Sequence, residues 1–427
     1  MWENERKKTI IRNVLVLLVL LAVAAALLVA MFTVKKKIDA EDALLQEEHA
    51  NQRQELNEAR QENVEAIRQT YENHKQVLAQ YIPGIVCWGD SLTAGSSGNV
   101  SYPLTLQKYI DTYLCNIYDL RYSVDNPSSY SRLDWDDYKI SIPVVNMGAG
   151  REDSTTVLGR AGVVPYEVHR DFVIPAETES VEIAIRSQNG KPVSPLTAGN
   201  VGVNPVTIAG VQGTLTLTTN QNSGTTTYQF ARLEAGAETP VEKGTPITTA
   251  CQEQYQDYIH IVWLGTYGEF TTAEQLVQET KTLLQRQNLN TERYLVIGPC
   301  ATRGSWQNAN ANTLDTIDSA MLQAFGNRYI NLRKYLIEDG LRDAGINASK
   351  LDSESISRGM IPESFRSNAG GADLNGVAYN LLGQLVYERM ELLGYFDEVR
   401  QELRLDKITQ DLVKEDPAYF DKALKLG

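Results

Sequence analysis

The stretch Ile85-Val86-Cys87-Trp88-Gly89-Asp90-Ser91-Leu92-Thr93-Ala94-Gly95 decides how the body of this 427-residue chain is read. A short apolar strand, Ile85–Trp88, runs into a Gly-Asp-Ser turn and then into a helix start. A serine at the carboxyl end of a strand sits where open α/β sheets place ligands. Its hydroxyl would be exposed there, and the following backbone N–H groups would face a developing oxyanion. Read as local structure alone, Asp90 and Ser91 also suit a solvated turn with a helix cap. Outward from this turn, short apolar runs alternate with amphipathic stretches, the pattern of an α/β domain. Strands are expected at Ile85–Trp88, Pro143–Met147, Ile259–Leu264, Tyr294–Ile297 and Tyr329–Leu332, and helices near Tyr102–Leu114, Thr272–Gln287, Asn312–Phe325 and Gly376–Leu393. Together they predict one parallel five-stranded sheet with helices on both faces.

Residues 163–249 break that rhythm. Strand-like alternation (Val181, Ile183, Ile185; Leu215, Leu217; Tyr228, Phe230) is punctuated by turns such as Asn189-Gly190, Gly210, Gly213 and Gly224. This predicts an all-β insertion in a crossover of the α/β domain, with its two ends close together. The cysteines Cys87, Cys115, Cys251 and Cys300 show no CxxC spacing, so no metal site is expected, nor any cofactor. If the body is exported, a disulfide is permitted, but its pairing is not readable.

The amino-terminal part is built differently. Val14–Val34 reads VLVLLVLLAVAAALLVAMFTV, without a charge. About twenty apolar residues suffice to cross a ~30 Å hydrocarbon core, which predicts a transmembrane anchor. The span is longer than the apolar region of a cleavable signal peptide, and Lys35-Lys36-Lys37 follows it directly. Four basic residues precede the span and three follow, with an acidic body behind them, which places the N-terminus in the cytoplasm. The globular part is then extracytoplasmic. Residues 38–81 predict a helical stalk about 60 Å long at ~1.5 Å per residue. Val64, Ile67, Tyr71, His74, Leu78 and Tyr81 trace a heptad seam, so a homodimer through a coiled coil is the alternative to a plain spacer.

Net charge is −14; beyond residue 37 there are 33 basic and 52 acidic side chains, a net of −19. That balance excludes a nucleic-acid partner, which needs a basic face. The expected organisation is therefore 1–37 tail and anchor, 38–81 stalk, 82–162 and 250–395 α/β domain, 163–249 β insertion and 396–427 a helical tail.

Further segments join the Ser91 turn: Asn146-Met147-Gly148-Ala149-Gly150, Leu264-Gly265-Thr266-Tyr267-Gly268, Ile361–Asn368, Asp373-Leu374-Asn375 and Tyr379–Gly383. In order and spacing these resemble the SGNH/GDSL hydrolases, serine esterases and lipases with a flavodoxin-like three-layer fold. The resemblance covers 82–162 and 250–395. It implies that Ser91 holds the nucleophile position and Gly148 an oxyanion-hole position. Two family groups are missing. Tyr267 stands where an oxyanion asparagine is expected. Asp373 stands where the general-base histidine is expected, with Asn368 at the position nearest the orienting aspartate. A carboxylate with an ordinary pKa of ~3.9 is a poor base for a serine hydroxyl. Of the remaining histidines, His260 lies within a strand as a packed residue. His169, at the start of the insertion, is the only substitute base if the insertion folds over the cleft.

Three functions follow as expectations: an active esterase removing acyl or O-acetyl groups from an envelope polysaccharide or lipid, a pseudohydrolase binding an envelope glycan or protein, and a structural spacer. Losing one oxyanion donor costs ~10²–10³ in rate. Without the triad histidine only ~10³–10⁴ over water survives in the serine-protease template. These magnitudes favour the pseudohydrolase.

Overall fold

The computed structural model describes residues 2–95, 100–115, 141–219, 226–267, 270–288, 293–301, 310–367 and 372–403. The chain divides into two compact units, Met1–Thr70 and Tyr71–Gly427. Helix α1 (Trp2–Tyr81) is one continuous element of 80 residues, so the segments expected as anchor and stalk lie in a single helix. It contains a stretch long and apolar enough to cross a membrane, and the side chains of Val14–Leu21 are all exposed.

In the second unit the sheet strands are β1 (Ile85–Gly89), β2 (Val144–Gly148), β12 (Ile259–Trp263), β13 (Tyr294–Ile297) and β14 (Tyr329–Ile330), with β3 to β11 lying between β2 and β12. The five form one sheet in the order β14-β13-β12-β1-β2, and every pairing is parallel. Numbered within this sheet, the strands lie 2-1-3-4-5, so the connections reverse direction between β1 and β12. Doubly wound sheets open a crevice at the carboxyl ends of their strands at such a reversal.

Strand side chains alternate between two cores, as the two-residue period requires. Ile85, Cys87, Ile259, Ile261, Trp263, Leu295 and Ile297 enter one, together with residues of α3 (Tyr102–Ile110) and α10 (Gly376–Leu392). Val86, Trp88, Val262 and Val296 enter the other, with residues of α4 (Ser154–Arg160), α5 (Ala273–Leu284) and α6 (Ala311–Phe325). Burial on both faces explains why β1 and β12 are buried at every position and read as continuous apolar runs. Strand β2 extends to Gly148, one residue beyond its apolar run, and β14 stops at Ile330 because Asn331 caps the next helical turn.

The heptad seam resolves partly into intramolecular packing. Tyr71, Leu78 and Tyr81 pack on the core that faces α3 and α10. A helix laid on a domain and a short coiled coil show the same spacing of apolar residues. Leu78 is buried there and Tyr71 and Tyr81 are partly buried, so this part of the seam packs within one chain.

Between α4 and the short 3-10 turn Ala250–Glu253, nine strands (β3, Tyr166–Val168, through β11, Pro246–Thr248) and no helix occur among the described residues. They make a seven-stranded antiparallel sheet and a two-stranded ribbon around their own apolar core. The ends of this segment lie side by side. Thr249 Oγ1 donates to the Arg160 carbonyl at 2.7 Å, and the Arg286 guanidinium donates to the carbonyls of Ala161 and Cys251. Arg160 and Arg286 both lie over the Trp88 ring, at 5.7 and 5.3 Å from its centroid. The β segment is thus fastened directly beneath β1. Cys87, Cys251 and Cys300 are buried free thiols. Helix α11 (Asp397–Leu403) supplies the start of the helical tail; residues 404–427 lie outside the described part.

Candidate functional site

The site is built at the reversal of the sheet. Helix α2 (Ser91–Ala94) starts immediately after β1, capped by Asp90, whose Oδ1 accepts the Leu92 N–H at 2.9 Å. Asp90 is buried, and burial pushes its carboxyl up to about 7, with the Asp373 carboxylate adding to the effect. Backbone amides of Leu92 and Tyr267 pull the other way. The Ser91 hydroxyl, expected to be exposed, is instead buried, and its Oγ has no partner at hydrogen-bond distance among the described residues.

Gly148 ends β2 against this turn. A Cβ there would lie 2.1 Å from the Ala94 amide nitrogen, so only glycine allows the approach. Its own N–H, expected at the oxyanion position, donates instead to Asn146 Oδ1 at 2.9 Å. Asn146 Nδ2 reaches the Ala94 carbonyl at 3.3 Å, bridging the two strand ends.

Tyr267 is half-buried, four residues past β12. Its phenol is raised mainly by burial, lowered by Ser91, raised by the Asp373 and Asp90 carboxylates and lowered by Arg151. Ser91, Tyr267, Asp90, Asp373 and Arg151 therefore share one electrostatic neighbourhood, although none of them bonds Ser91 Oγ. Asp373 comes from the segment before α10. Its carbonyl accepts the Ser367 N–H at 2.9 Å, and Asn375, the cap of α10, donates to the Ser364 carbonyl at 2.7 Å. The Asp373 carboxyl is raised by burial, against a lowering influence from Arg151. Asn368 lies outside the described residues, as does Gly268.

The histidines are elsewhere. His260 is buried in β12, its Nε2 at 3.0 Å from the Tyr255 carbonyl, and burial pushes it down to about 4. His169 is exposed in the link between β3 and β4 (Phe172–Ile174); its backbone N–H donates to the Ala184 carbonyl, and its imidazole makes no hydrogen bond among the described residues. His169 is thus exposed in a link of the antiparallel segment and makes no hydrogen bond to Ser91 among the described residues. Among the described residues no trio of His, Cys, Asp or Glu is arranged to hold a metal ion.

Sequence reasoning missed two residues. Arg151 follows Gly148-Ala149-Gly150 and has a left-handed backbone, φ 63°. Glu152 is buried and paired with the fully buried Arg160 at 2.8 Å. The signal was present in a lone cation between a glycine run and an acidic pair, Gly150-Arg151-Glu152-Asp153.

The site brings a phenol, two carboxyls and a guanidinium around a buried serine hydroxyl. It can accept and donate hydrogen bonds to a polar ligand, but among the described residues no imidazole stands where it would take a proton from Ser91. Compared with protein-family models, curated proteins and solved structures, the chain matches none.

Proposed function

We propose that this chain is an SGNH/GDSL-type hydrolase fold, anchored by its N-terminal helix with the globular part outside the membrane. Its cleft binds an envelope glycan or a protein partner without turning it over. The family reading is supported by the flavodoxin-like strand order 2-1-3-4-5. It is also supported by the convergence of Ser91, Gly148, Tyr267 and Asp373 from four separate segments.

The observation that carries the loss of activity is the state of Ser91: its Oγ has no hydrogen-bonding base among the described residues. A serine hydroxyl is a weak nucleophile unless an adjacent base activates it. A carboxylate raised by burial is still no proton relay, because it lacks the second ring nitrogen through which an imidazole is oriented. The anchor reading rests on the apolar helix, and the sidedness on the distribution of basic residues around it. Hydrolysis of 4-nitrophenyl acetate by the purified full-length protein tests the proposal. Wild type and Ser91→Ala should be indistinguishable from background; Ser91-dependent turnover would overturn it.

A further inference from the structure

We infer that Arg151 makes the cleft selective for an acidic glycan, its guanidinium receiving a carboxylate or phosphate group of the ligand while the half-buried Tyr267 meets a neighbouring hydroxyl. The inference rests on the binding role proposed above and names the ligand class of that site.

Arg151 is exposed and makes no ion pair or side-chain hydrogen bond among the described residues. Its five N–H donors are thus unspent, in a planar fork suited to carboxylate and phosphate. Exposure alone is ordinary for arginine. Its backbone is not: φ is 63°, a conformation in which any Cβ is crowded and glycine is the inexpensive choice. Such strain persists only where the surroundings enforce it. Here they do. On one side β2 ends at Gly148, pressed on the backbone of the Ser91 turn. On the other, Glu152 is locked by Arg160, which also donates to the Met147 carbonyl at 3.0 Å. A buried ion pair and a close backbone contact therefore hold an exposed arginine three residues beyond Gly148 and the Ser91 turn, where glycine would fit with less strain. Arg151 influences both Tyr267 and Asp373. It contacts no carboxylate closely, so it is not neutralised in place.

The test uses full-length protein in detergent micelles and three probes: a galacturonic acid oligomer, a sugar-phosphate oligomer and a neutral oligosaccharide of equal length. Calorimetry should show at least 10-fold tighter binding of one or both acidic probes than of the neutral one, weakening with salt. The carboxylate and phosphate arms identify which anion is read. Arg151→Gln should abolish the preference, and Arg151→Lys should retain part of it. Circular dichroism confirms that both variants are folded. Equal binding of acidic and neutral probes, or an unchanged preference in Arg151→Gln, would overturn the inference while leaving a binding role intact. Binding of no glycan would overturn it and confine the proposed function to a protein partner. Turnover of any probe would count against the pseudohydrolase reading alone.

Discussion

The backbone N–H of Gly148 is directed to Oδ1 of Asn146, 2.9 Å away, within the same strand end. An amide expected to stabilise an oxyanion is thus already engaged. Such donors assist acyl transfer only when they point at the reacting oxygen. Asn146→Ala should leave esterase activity at background and destabilise the protein by ~0.5–1.5 kcal/mol, the usual net worth of a hydrogen bond. Urea denaturation checks this, and a gain of ester hydrolysis would show that the amide was merely masked.

The Ser91 turn carries its own pH signature. Burial raises the Asp90 carboxyl to about 7 in the fold, against ~3.9 in an unfolded chain. The folded state then binds the extra proton between these values, so this group's contribution is full below pH ~4 and is lost as pH rises through about 7. Asp90→Asn keeps a capping residue and removes the charge. Its melting temperature should match wild type near pH 4 and exceed it increasingly toward pH 8. A constant offset across that range would contradict the assignment.

Arg160 joins three parts of the second unit: it pairs with Glu152 at 2.8 Å and donates to the carbonyls of Met147 and Val201. Removing one partner of a buried pair strands the other charge and costs ~3–5 kcal/mol. Arg160→Ala should show a loss of that order in chemical denaturation. A loss below ~1 kcal/mol would mean that water replaces the guanidinium freely.

Much of this architecture was legible because each sheet strand is buried on both faces. A run such as Ile259-His260-Ile261-Val262-Trp263 then stands out, even with a histidine in it. The antiparallel segment was legible from alternation and glycine turns, and its closed ends from the need to return to the sheet. What sequence alone did not reveal depends on long-range contacts. The Tyr71, Leu78, Tyr81 spacing does not say whether the helix meets a second copy or its own domain. Nor does Gly150-Arg151-Glu152 disclose that Arg151 is held left-handed, because the cause is Arg160, eight residues past the glutamate.

The apolar part of α1 predicts behaviour in fractionation. Full-length protein should remain with membranes after alkaline carbonate washing, and proteolysis within residues 40–80 should release a soluble globular fragment. Introducing two arginines, Leu20→Arg with Leu27→Arg, should shift it to the soluble fraction, since each costs ~2.5–3.5 kcal/mol at a helix centre. Retention of that variant on membranes would place the attachment elsewhere.

The central claim is that Ser91 lacks a base. Fluorophosphonate labelling of the native full-length protein measures this directly, because the probe reacts only with an activated serine. The account predicts no labelling above that of Ser91→Ala. It also predicts only slight recovery in Asp373→His with Tyr267→Asn, since a small misplacement of catalytic groups costs ~10²-fold. Rapid labelling of the unaltered protein that disappears in Ser91→Ala would contradict it.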